Sequence, residues 1–264
     1  MRTLVINLER ETDRLAHMRR VFGEQGLDFE VVKAVDATQL SQRELEAGRS
    51  GEPRFYELGA GEIACFLSHR KCWEIAAKHR DAYTIICEDD IFLGENASAV
   101  FGNADWVPTG TALVRIEACR PKSLIGNRPV AQVGGRQLFP LFKAFAGAGA
   151  YVISREIATE FLEDTKVFGD PVDQFLFNPE RIEGRGLKFL QLNPAVAIQE
   201  YFLKPEEHRE LGSALRSERR GKRRSGVAKL TREALRPFQQ FSSFVSGVYN
   251  LHFSDRHWVR VPFL

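Results

Sequence analysis

The first 35 residues alternate between apolar runs and a helix-like stretch. Residues 3–7 form a short apolar run that ends in a polar residue, which is typical of a buried parallel strand. Residues 9–25 repeat apolar side chains at helical spacing, and Gly26 is placed to end that helix. Residues 29–35 form a second strand-like run. The chain is therefore predicted to open as β-α-β, which implies a parallel sheet with a crossover helix.

The later pattern predicts further strands and helices up to about residue 203. Residues 36–59 are polar and are predicted to be irregular. Helices are predicted at 61–79 and 155–164, and strands at 83–87, 112–116, 150–153 and 188–192, the last of the sheet. From residue 205 the composition changes. We therefore predict an α/β domain over 1–203 and a basic, mostly helical extension over 204–264.

Composition narrows the class of protein. The 264 residues suffice for one large α/β domain or two small ones, and 44% hydrophobic residues argue against a disordered chain. No apolar stretch resembles a signal peptide or reaches the roughly 20 residues that cross a bilayer, so we expect a cytoplasmic protein. None of the four cysteines forms a CxxC pair, which predicts buried free thiols and no zinc site.

Three consecutive carboxylates, Glu88, Asp89 and Asp90, follow the predicted strand 83–87. Ionised carboxylates are rarely buried without partners, so these must face water, a cation or a basic group. Ligands of open α/β sheets bind outside the carboxyl ends of the strands, where this triplet lies. Glu88 and Asp90, two positions apart, point to the same side and could hold a divalent cation together with a diphosphate. A solvated loop or a helix cap is the alternative.

A second acidic site contains Asp170 and Asp173. A carboxylate beside an acceptor hydroxyl can act as a general base. Asp170 precedes Pro171 and so fits a helix cap with proline in the first helical position. For Asp173, catalysis and capping both stay open.

Several other positions are candidates for ligand contact. Asn7 and Arg14 flank the first strand-to-helix turn, where a base or ribose could bind, although Asn7 could instead simply end the strand. Ser68 and His69 lie in the predicted helix 61–79, where a histidine is more often a surface or core residue than a catalytic one. The small-residue run 146–149 would let the backbone approach a ligand closely, although it lacks the spacing of a dinucleotide-binding loop.

Five segments resemble the motifs of glycosyltransferase family 25, the lipooligosaccharide galactosyltransferase family. The opening VINLERETDR resembles the start of the family, GEIACFLSHRKCW its GEIGC-x-x-SH segment, and IICEDDIFL its LEDD metal motif. GAGAYVIS resembles its later tyrosine-containing strand, and DPVDQFLF resembles its PVD segment. Each motif alone is weakly specific, but the five agree in order and approximate spacing over residues 3–178.

The resemblance implies a GT-A-type fold, a Rossmann-like mixed sheet flanked by helices. It implies a hexosyltransferase that uses a UDP-sugar, typically UDP-galactose, with Mn²⁺ or Mg²⁺, and that transfers the sugar with inversion to a saccharide hydroxyl. Carried over residue by residue, Glu88 and Asp90 become metal ligands and Asp173 the candidate base. The residues implied to contact the donor are Asn7, Leu8, Arg14, Glu62, Ser68, His69 and Asp89.

Two departures from the family pattern bear on the donor sugar more than on the reaction. The run 146–149 reads Ala-Gly-Ala-Gly, where the family usually carries a polar Thr or His. Cys87 replaces an aliphatic residue before the acidic triplet.

The resemblance does not reach the basic C-terminal segment. Between residues 204 and 240, eleven Lys and Arg residues stand against five Glu. This charge, with helical spacing and nearby aromatic residues, favours binding of residues 204–245 to an anionic membrane surface, which would suit a lipid-linked acceptor at the inner face of a bacterial membrane. A solvated helical lid is the alternative. Nucleic-acid binding is not expected, because the basic core lacks interleaved aromatic residues and any recognised module.

Two functions stay open at this point. One is an active transferase of the lipooligosaccharide or lipopolysaccharide type, and the other is an inactive relative that binds a UDP-sugar as a scaffold. Only the first would turn over a donor. A phosphoryl-receiving signalling domain does not fit, because its acidic pair should follow the first strand.

Overall fold

The computed structural model describes residues 1–48, 56–144, 147–177, 186–204, 211 and 255–264. Within these residues the strands β1 to β13 run over Arg2–Asn7, Glu30–Lys33, Tyr83–Glu88, Ile91–Leu93, Thr111–Arg115, Glu117–Ala118, Ser123–Gly126, Ala131–Val133, Arg136–Lys143, Ala150–Ser154, Lys188–Asn193, Ala197–Gln199 and Arg256–Val259. The helices α1 to α7 run over Thr12–Gly23, Gln42–Ala47, Ala60–Lys78, Ala97–Phe101, Arg155–Asp164, Val172–Leu176 and Glu200–Leu203, with a 3₁₀ turn at Ala37–Gln39.

Strand β1 lies between two parallel neighbours. Its residues 3–7 are all buried, as a strand covered on both faces requires. It pairs with β2 on one side and with β3 on the other, where Ile6 lies opposite Glu88. The chain passes from β1 to β2 on one side and then returns across β1 to β3 on the other, and such a switch point opens a crevice at the carboxyl ends of the strands. The acidic triplet begins at this crevice.

Helices α1 and α3 cover opposite faces of this part of the sheet. Val5 of β1 packs in one apolar cluster with Met18 and Phe22 of α1. Its neighbour Leu4 packs in another cluster with Trp73 of α3. The alternation of side chains along β1 therefore divides the core into two layers.

The rest of the large sheet is mixed. Its strand order among the described residues is β13-β7-β9-β11-β5-β10-β3-β1-β2, with β8 beside β9. Strand β10 runs antiparallel to both β3 and β5. A smaller sheet has the order β4-β12-β6, and its strand β12 pairs with β4 so that Gln199 lies opposite Ile91. This pairing brings Gln199 to the end of β3.

The α/β class, the β-α-β opening and the helices and strands predicted downstream of it are confirmed, within a few residues at their ends. The prediction that 36–59 is irregular is wrong in part, because α2 lies within it. Ser41 caps that helix and Glu44 returns the hydrogen bond, a Ser-x-x-Glu signal that is legible in the sequence. Strand 188–192 is not the last, since β12 and β13 follow it.

The described end of the chain, residues 255–264, belongs to the large sheet. Strand β13 pairs antiparallel with β7, and Phe263 forms a parallel bridge with Ala195. Apart from Lys204 and Leu211, the segment 204–245 lies outside the described residues. Its binding to a membrane and the boundary near residue 204 therefore stay predictions. Among the described helices, none has the length and apolarity needed to span a bilayer.

Gly147 and Gly149 of the small-residue run lie against a buried carboxyl group, whereas Ala146 is outside the described residues. Glu117 is fully buried, and its Oε2 accepts a hydrogen bond from the Ala150 N–H at 3.0 Å. Its Oε1 accepts one from the Cys119 thiol at 2.9 Å. A Cβ on Gly147, whose φ is +94°, would lie 1.7 Å from this Oε1, and one on Gly149 would lie 2.4 Å from Oε2. The close backbone approach that we expected for a ligand is thus made to Glu117.

Gly147→Ala is expected to destabilise the fold by about 3 kcal/mol or more, because steric overlap adds to left-handed backbone strain. Gly135→Ala is the matched control, since Gly135 has a φ of +81° but open space around it. The control should cost only about 1–2 kcal/mol of strain. Urea unfolding of both variants checks this, and equal midpoints would contradict the overlap with Glu117.

Candidate active site

The acidic triplet lies in a cavity of about 360 Å³ at the carboxyl ends of β1 and β3. Its apolar lining residues are Ile6, Leu8, Ala34, Val35, Ala37 and Ala64. Its polar lining includes the triplet together with Arg10, Arg14, Ser68, His69 and Gln199. Most residues predicted to form the site are therefore brought together here, although they come from separate parts of the chain.

Asp89 is held by the first strand-to-helix turn. The Asn7 Nδ2 donates to Asp89 Oδ2 at 2.7 Å, and the Arg14 guanidinium donates to Asp89 Oδ1. A second guanidinium nitrogen of Arg14 lies 3.2 Å from Asp90 Oδ2. Asn7 is itself buried, so it reaches the cavity through Asp89. The turn that was predicted to contact a nucleotide thus orients one carboxylate and partly neutralises two.

Glu88 and Asp90 converge on a shared donor. The side-chain amide Nε2 of Gln199 donates to Glu88 Oε2 at 2.7 Å and to Asp90 Oδ1 at 3.1 Å. Two carboxylates that meet one amide nitrogen face the same volume, as their spacing along the chain predicted. A hard divalent cation prefers oxygen ligands of this kind.

The electrostatics of the triplet leave an excess of negative charge. Burial and the neighbouring Glu88 raise the pKa of Asp90 to about 7, against the attraction of Arg14. Burial also raises the pKa of Asp89. Burial is also the largest single influence on Glu88, but the interactions with His69, Arg14 and Cys65 together outweigh it and lower the pKa of that group. Three carboxyl groups around one guanidinium favour a further cation, so these residues fit a divalent metal.

Helix α3 contributes two polar residues to the cavity. Ser68 accepts a hydrogen bond from the Val35 N–H at 2.9 Å and donates to the Ala64 carbonyl at 2.7 Å, which ties the helix to the chain after β2. His69 is fully buried, and its Nε2 lies 3.3 Å from Glu88 Oε1. Both residues therefore contribute to the polar lining of the cavity.

Glu62 and Asp173 do not line this cavity. Glu62 lies in the first turn of α3, where its carboxylate accepts hydrogen bonds from the Gly59 N–H and the Tyr56 hydroxyl. Asp173 lies in α6, where its Oδ1 accepts from the Gln174 N–H at 2.8 Å. Pro171, and not the predicted Asp170, occupies the cap position of α6.

Gln199 is a site residue that the sequence did not reveal. It lies 109 positions after Asp90, at the end of a three-residue strand, and it belongs to none of the five motifs. Only the pairing of β12 with β4 shows its proximity to the triplet.

The sequence comparison decides the family. The family model described as "Glycosyltransferase family 25 (LPS biosynthesis protein)" matches residues 1–176, two-thirds of the chain. The chain belongs to glycosyltransferase family 25. The matched range holds every residue of the predicted site, whereas Gln199 lies beyond it.

Relatives in this family match most of the chain. The lacto-N-neotetraose biosynthesis glycosyltransferase LgtB of Neisseria gonorrhoeae is 34% identical over 236 residues, which cover 83% of this chain and 82% of LgtB. LgtE of the same organism is 30% identical over 239 residues, 85% and 84% of the two chains. The lipooligosaccharide biosynthesis protein lic2B of Haemophilus influenzae is 29% identical over 226 residues, 81% and 82%.

A crystal structure of a glycosyltransferase involved in the glycosylation of the PBCV-1 major capsid overlays 75% of this chain and 91% of its own. The TM-score is 0.39 and the identity 8%, so the family assignment rests on the sequence relatives.

Asp90→Asn is expected to stabilise the metal-free protein at pH 8. A carboxyl group whose pKa is higher in the folded than in the unfolded state destabilises the fold once the unfolded state is ionised. For Asp90 this penalty grows as the pH rises from about 4 to about 7, reaches roughly 2–4 kcal/mol and then stays constant. Thermal unfolding in EDTA should give the variant the higher midpoint at pH 8.

The gain should shrink as the pH falls and disappear below about pH 3, where Asp90 is protonated in both states. Asp28→Asn, at an exposed position, is the control and should leave the midpoint unchanged. A lower midpoint for Asp90→Asn at pH 8 would mean that the ion pair with Arg14 outweighs the burial of Asp90.

Proposed function

We propose that this member of the family is a metal-dependent inverting hexosyltransferase with a UDP-sugar donor, UDP-galactose being the first to test. The acceptor would be a saccharide hydroxyl of a lipooligosaccharide or lipopolysaccharide. The observation that carries the proposal is the convergence of Glu88 and Asp90 on Gln199 in a cavity that is also lined by apolar residues. Apolar surface together with a cluster of oxygen ligands suits a nucleotide diphosphate and its metal.

The apolar and the polar lining residues would bind different parts of the donor. The uracil would lie near Leu8 and Val35, where it displaces water from apolar surface. The diphosphate would lie toward the triplet, where Arg10 and Arg14 also line the cavity. Arginine pairs well with phosphate oxygens because its planar guanidinium donates two parallel hydrogen bonds.

Glu88 and Asp90 would hold Mn²⁺ or Mg²⁺ in the site. A bound divalent metal neutralises the charge that develops on the departing diphosphate. Asp89 would act from beside the metal, because Asn7 and Arg14 already fix its two oxygens. These assignments give each residue of the triplet its own task.

Inversion requires a single in-line displacement. The acceptor hydroxyl oxygen attacks the anomeric carbon while the bond from that carbon to the diphosphate oxygen breaks, and a general base takes the hydroxyl proton. Asp173 is our candidate base.

The relatives LgtB and lic2B are named for lacto-N-neotetraose and lipooligosaccharide biosynthesis, which supports an acceptor of that class. The acceptor would be lipid-linked, and the enzyme would bind it on the cytoplasmic side of the inner membrane. The basic segment 204–245 would bind that membrane surface.

Titration calorimetry of UDP with and without Mn²⁺ tests the donor site. Wild-type protein should bind UDP in a Mn²⁺-dependent manner, and Asp90→Asn should weaken that binding at least about tenfold, because a ligand to the metal is lost. Asp28→Asn should behave as wild type. Equal UDP affinity in all three proteins, with and without Mn²⁺, would remove the triplet as a diphosphate-metal site.

Asp173→Asn tests the base. The variant should lose transfer from UDP-galactose to a saccharide acceptor by about 10²–10⁴-fold while UDP binding is retained. Asp170→Asn is the neighbouring control and should keep its transfer rate. Normal turnover of the Asp173→Asn variant would exclude Asp173 as the base. UDP binding without turnover in the wild type would favour the inactive scaffold.

A further inference from the structure

A row of hydrogen-bonding side chains runs from the core to the triplet. The indole Nε1 of Trp73 donates to the Tyr151 hydroxyl at 2.9 Å, and that hydroxyl lies 2.9 Å from His69 Nδ1. The opposite ring nitrogen, His69 Nε2, lies 3.3 Å from Glu88 Oε1. Trp73, Tyr151 and His69 are all fully buried, so no bulk water can replace a missing partner.

The donors and acceptors in this row determine where each proton lies. An indole N–H only donates, so the Tyr151 oxygen accepts from Trp73. Among the described residues, the one remaining partner of the Tyr151 hydroxyl is His69 Nδ1. The single hydroxyl proton must therefore point at Nδ1, because a buried donor without an acceptor is costly. Nδ1 then accepts, and the ring proton lies on Nε2, which donates to Glu88.

We infer that Trp73 and Tyr151 are positioning residues that fix His69 as a hydrogen-bond donor to Glu88. The two oxygens of Glu88 are thereby assigned to different partners. Oε1 faces His69 and the Cys65 thiol, whose Sγ lies 3.9 Å away, whereas Oε2 faces Gln199 and the side of Asp90. This inference rests on the proposed function, in which Glu88 holds the donor metal through the Asp90 side.

The same geometry argues against the binding of a metal ion by Cys65, His69 and Glu88 together. Cys65, His69 and Glu88 offer ligand atoms within 4.8 Å of one another, close enough for a three-ligand metal group. Coordination through His69 Nε2 would move the ring proton to Nδ1. The Tyr151 hydroxyl would then face another donor and lose its acceptor. The row therefore keeps His69 a donor and places the metal on the far side of Glu88.

Backbone geometry explains why these residue types occur at this spacing. Cys65, His69 and Trp73 are successive i, i+4 positions on one face of α3. Tyr151 lies on β10 opposite Ile86 of β3, two residues before Glu88. The Trp73 ring is packed edge-on against Phe66 and Phe161, which fixes its N–H.

The test reads the proton positions directly. In protein labelled with ¹⁵N-histidine, two-bond ¹H–¹⁵N correlation spectra recorded without nucleotide or metal distinguish Nδ1 from Nε2 protonation, and the signals of His69 are those missing in His69→Gln. The wild type should carry the proton on Nε2. In Tyr151→Phe the Nδ1 resonance should move toward that of a nitrogen without a hydrogen bond. Tyr83→Phe, on the neighbouring strand, should leave it in place.

Binding gives the second readout. Tyr151→Phe should weaken Mn²⁺-dependent UDP binding about tenfold, as loss of a residue that orients a ligand does, whereas Tyr83→Phe should not. A proton on Nδ1 in the wild type, an unmoved Nδ1 resonance in Tyr151→Phe, or direct coordination of added Zn²⁺ by Nε2 would overturn the inference. Absence of UDP binding in the wild type would instead reject the proposed function. It would leave the tautomer of His69 to be decided by the spectra, which are recorded without nucleotide or metal.

Discussion

Three adjacent carboxyl groups, one partly exposed and two buried, are the constraint on which this site depends. Withdrawal of a carboxylate from water is costly unless donors or cations replace the lost hydration. Asp89 receives both an amide and a guanidinium, Glu88 receives an imidazole, and Gln199 serves Glu88 and Asp90 together. Asp90 is compensated least, as its pKa of about 7 indicates. The incompletely satisfied member of the triplet is therefore the position where a cation gains most.

The partners of the triplet come from four elements that the sheet topology brings to one place. Asn7 ends β1, Arg14 lies in α1, His69 in α3 and Gln199 ends β12. The first three arrive because β1 lies between β2 and β3, so that the helices that follow β1 and β2 both begin at the same crevice. Gln199 comes from strand β12 of the small sheet. The full set of partners of the triplet is therefore assembled only when both sheets have formed.

The sequence predicted what local pattern encodes. The buried strand β1, the amphipathic helix α1 and the need of the triplet for polar partners all follow from side-chain periodicity and from the cost of burying charge. The short strands between residues 117 and 133 carry too few residues for a period to appear. Gln199 was missed for a related reason, because its proximity to Asp90 depends on strand pairing over a long separation. The roles of Tyr151 and Trp73 needed the contact between β10 and α3.

Gly149 shows that a close backbone approach also serves the protein's own side chains. A Cβ on Gly149 would meet Glu117 Oε2 at 2.4 Å and the Gln199 side chain at 2.7 Å. The run therefore leaves room for the residue that joins Glu88 to Asp90. Burial raises the pKa of Glu117 to about 7, so at neutral pH this carboxyl group adds less negative charge near the triplet than an ordinary carboxylate would. A larger side chain at Gly149 would collide with both Glu117 and Gln199, and so the absence of a side chain there preserves the hydrogen bonds of Gln199 to Glu88 and Asp90.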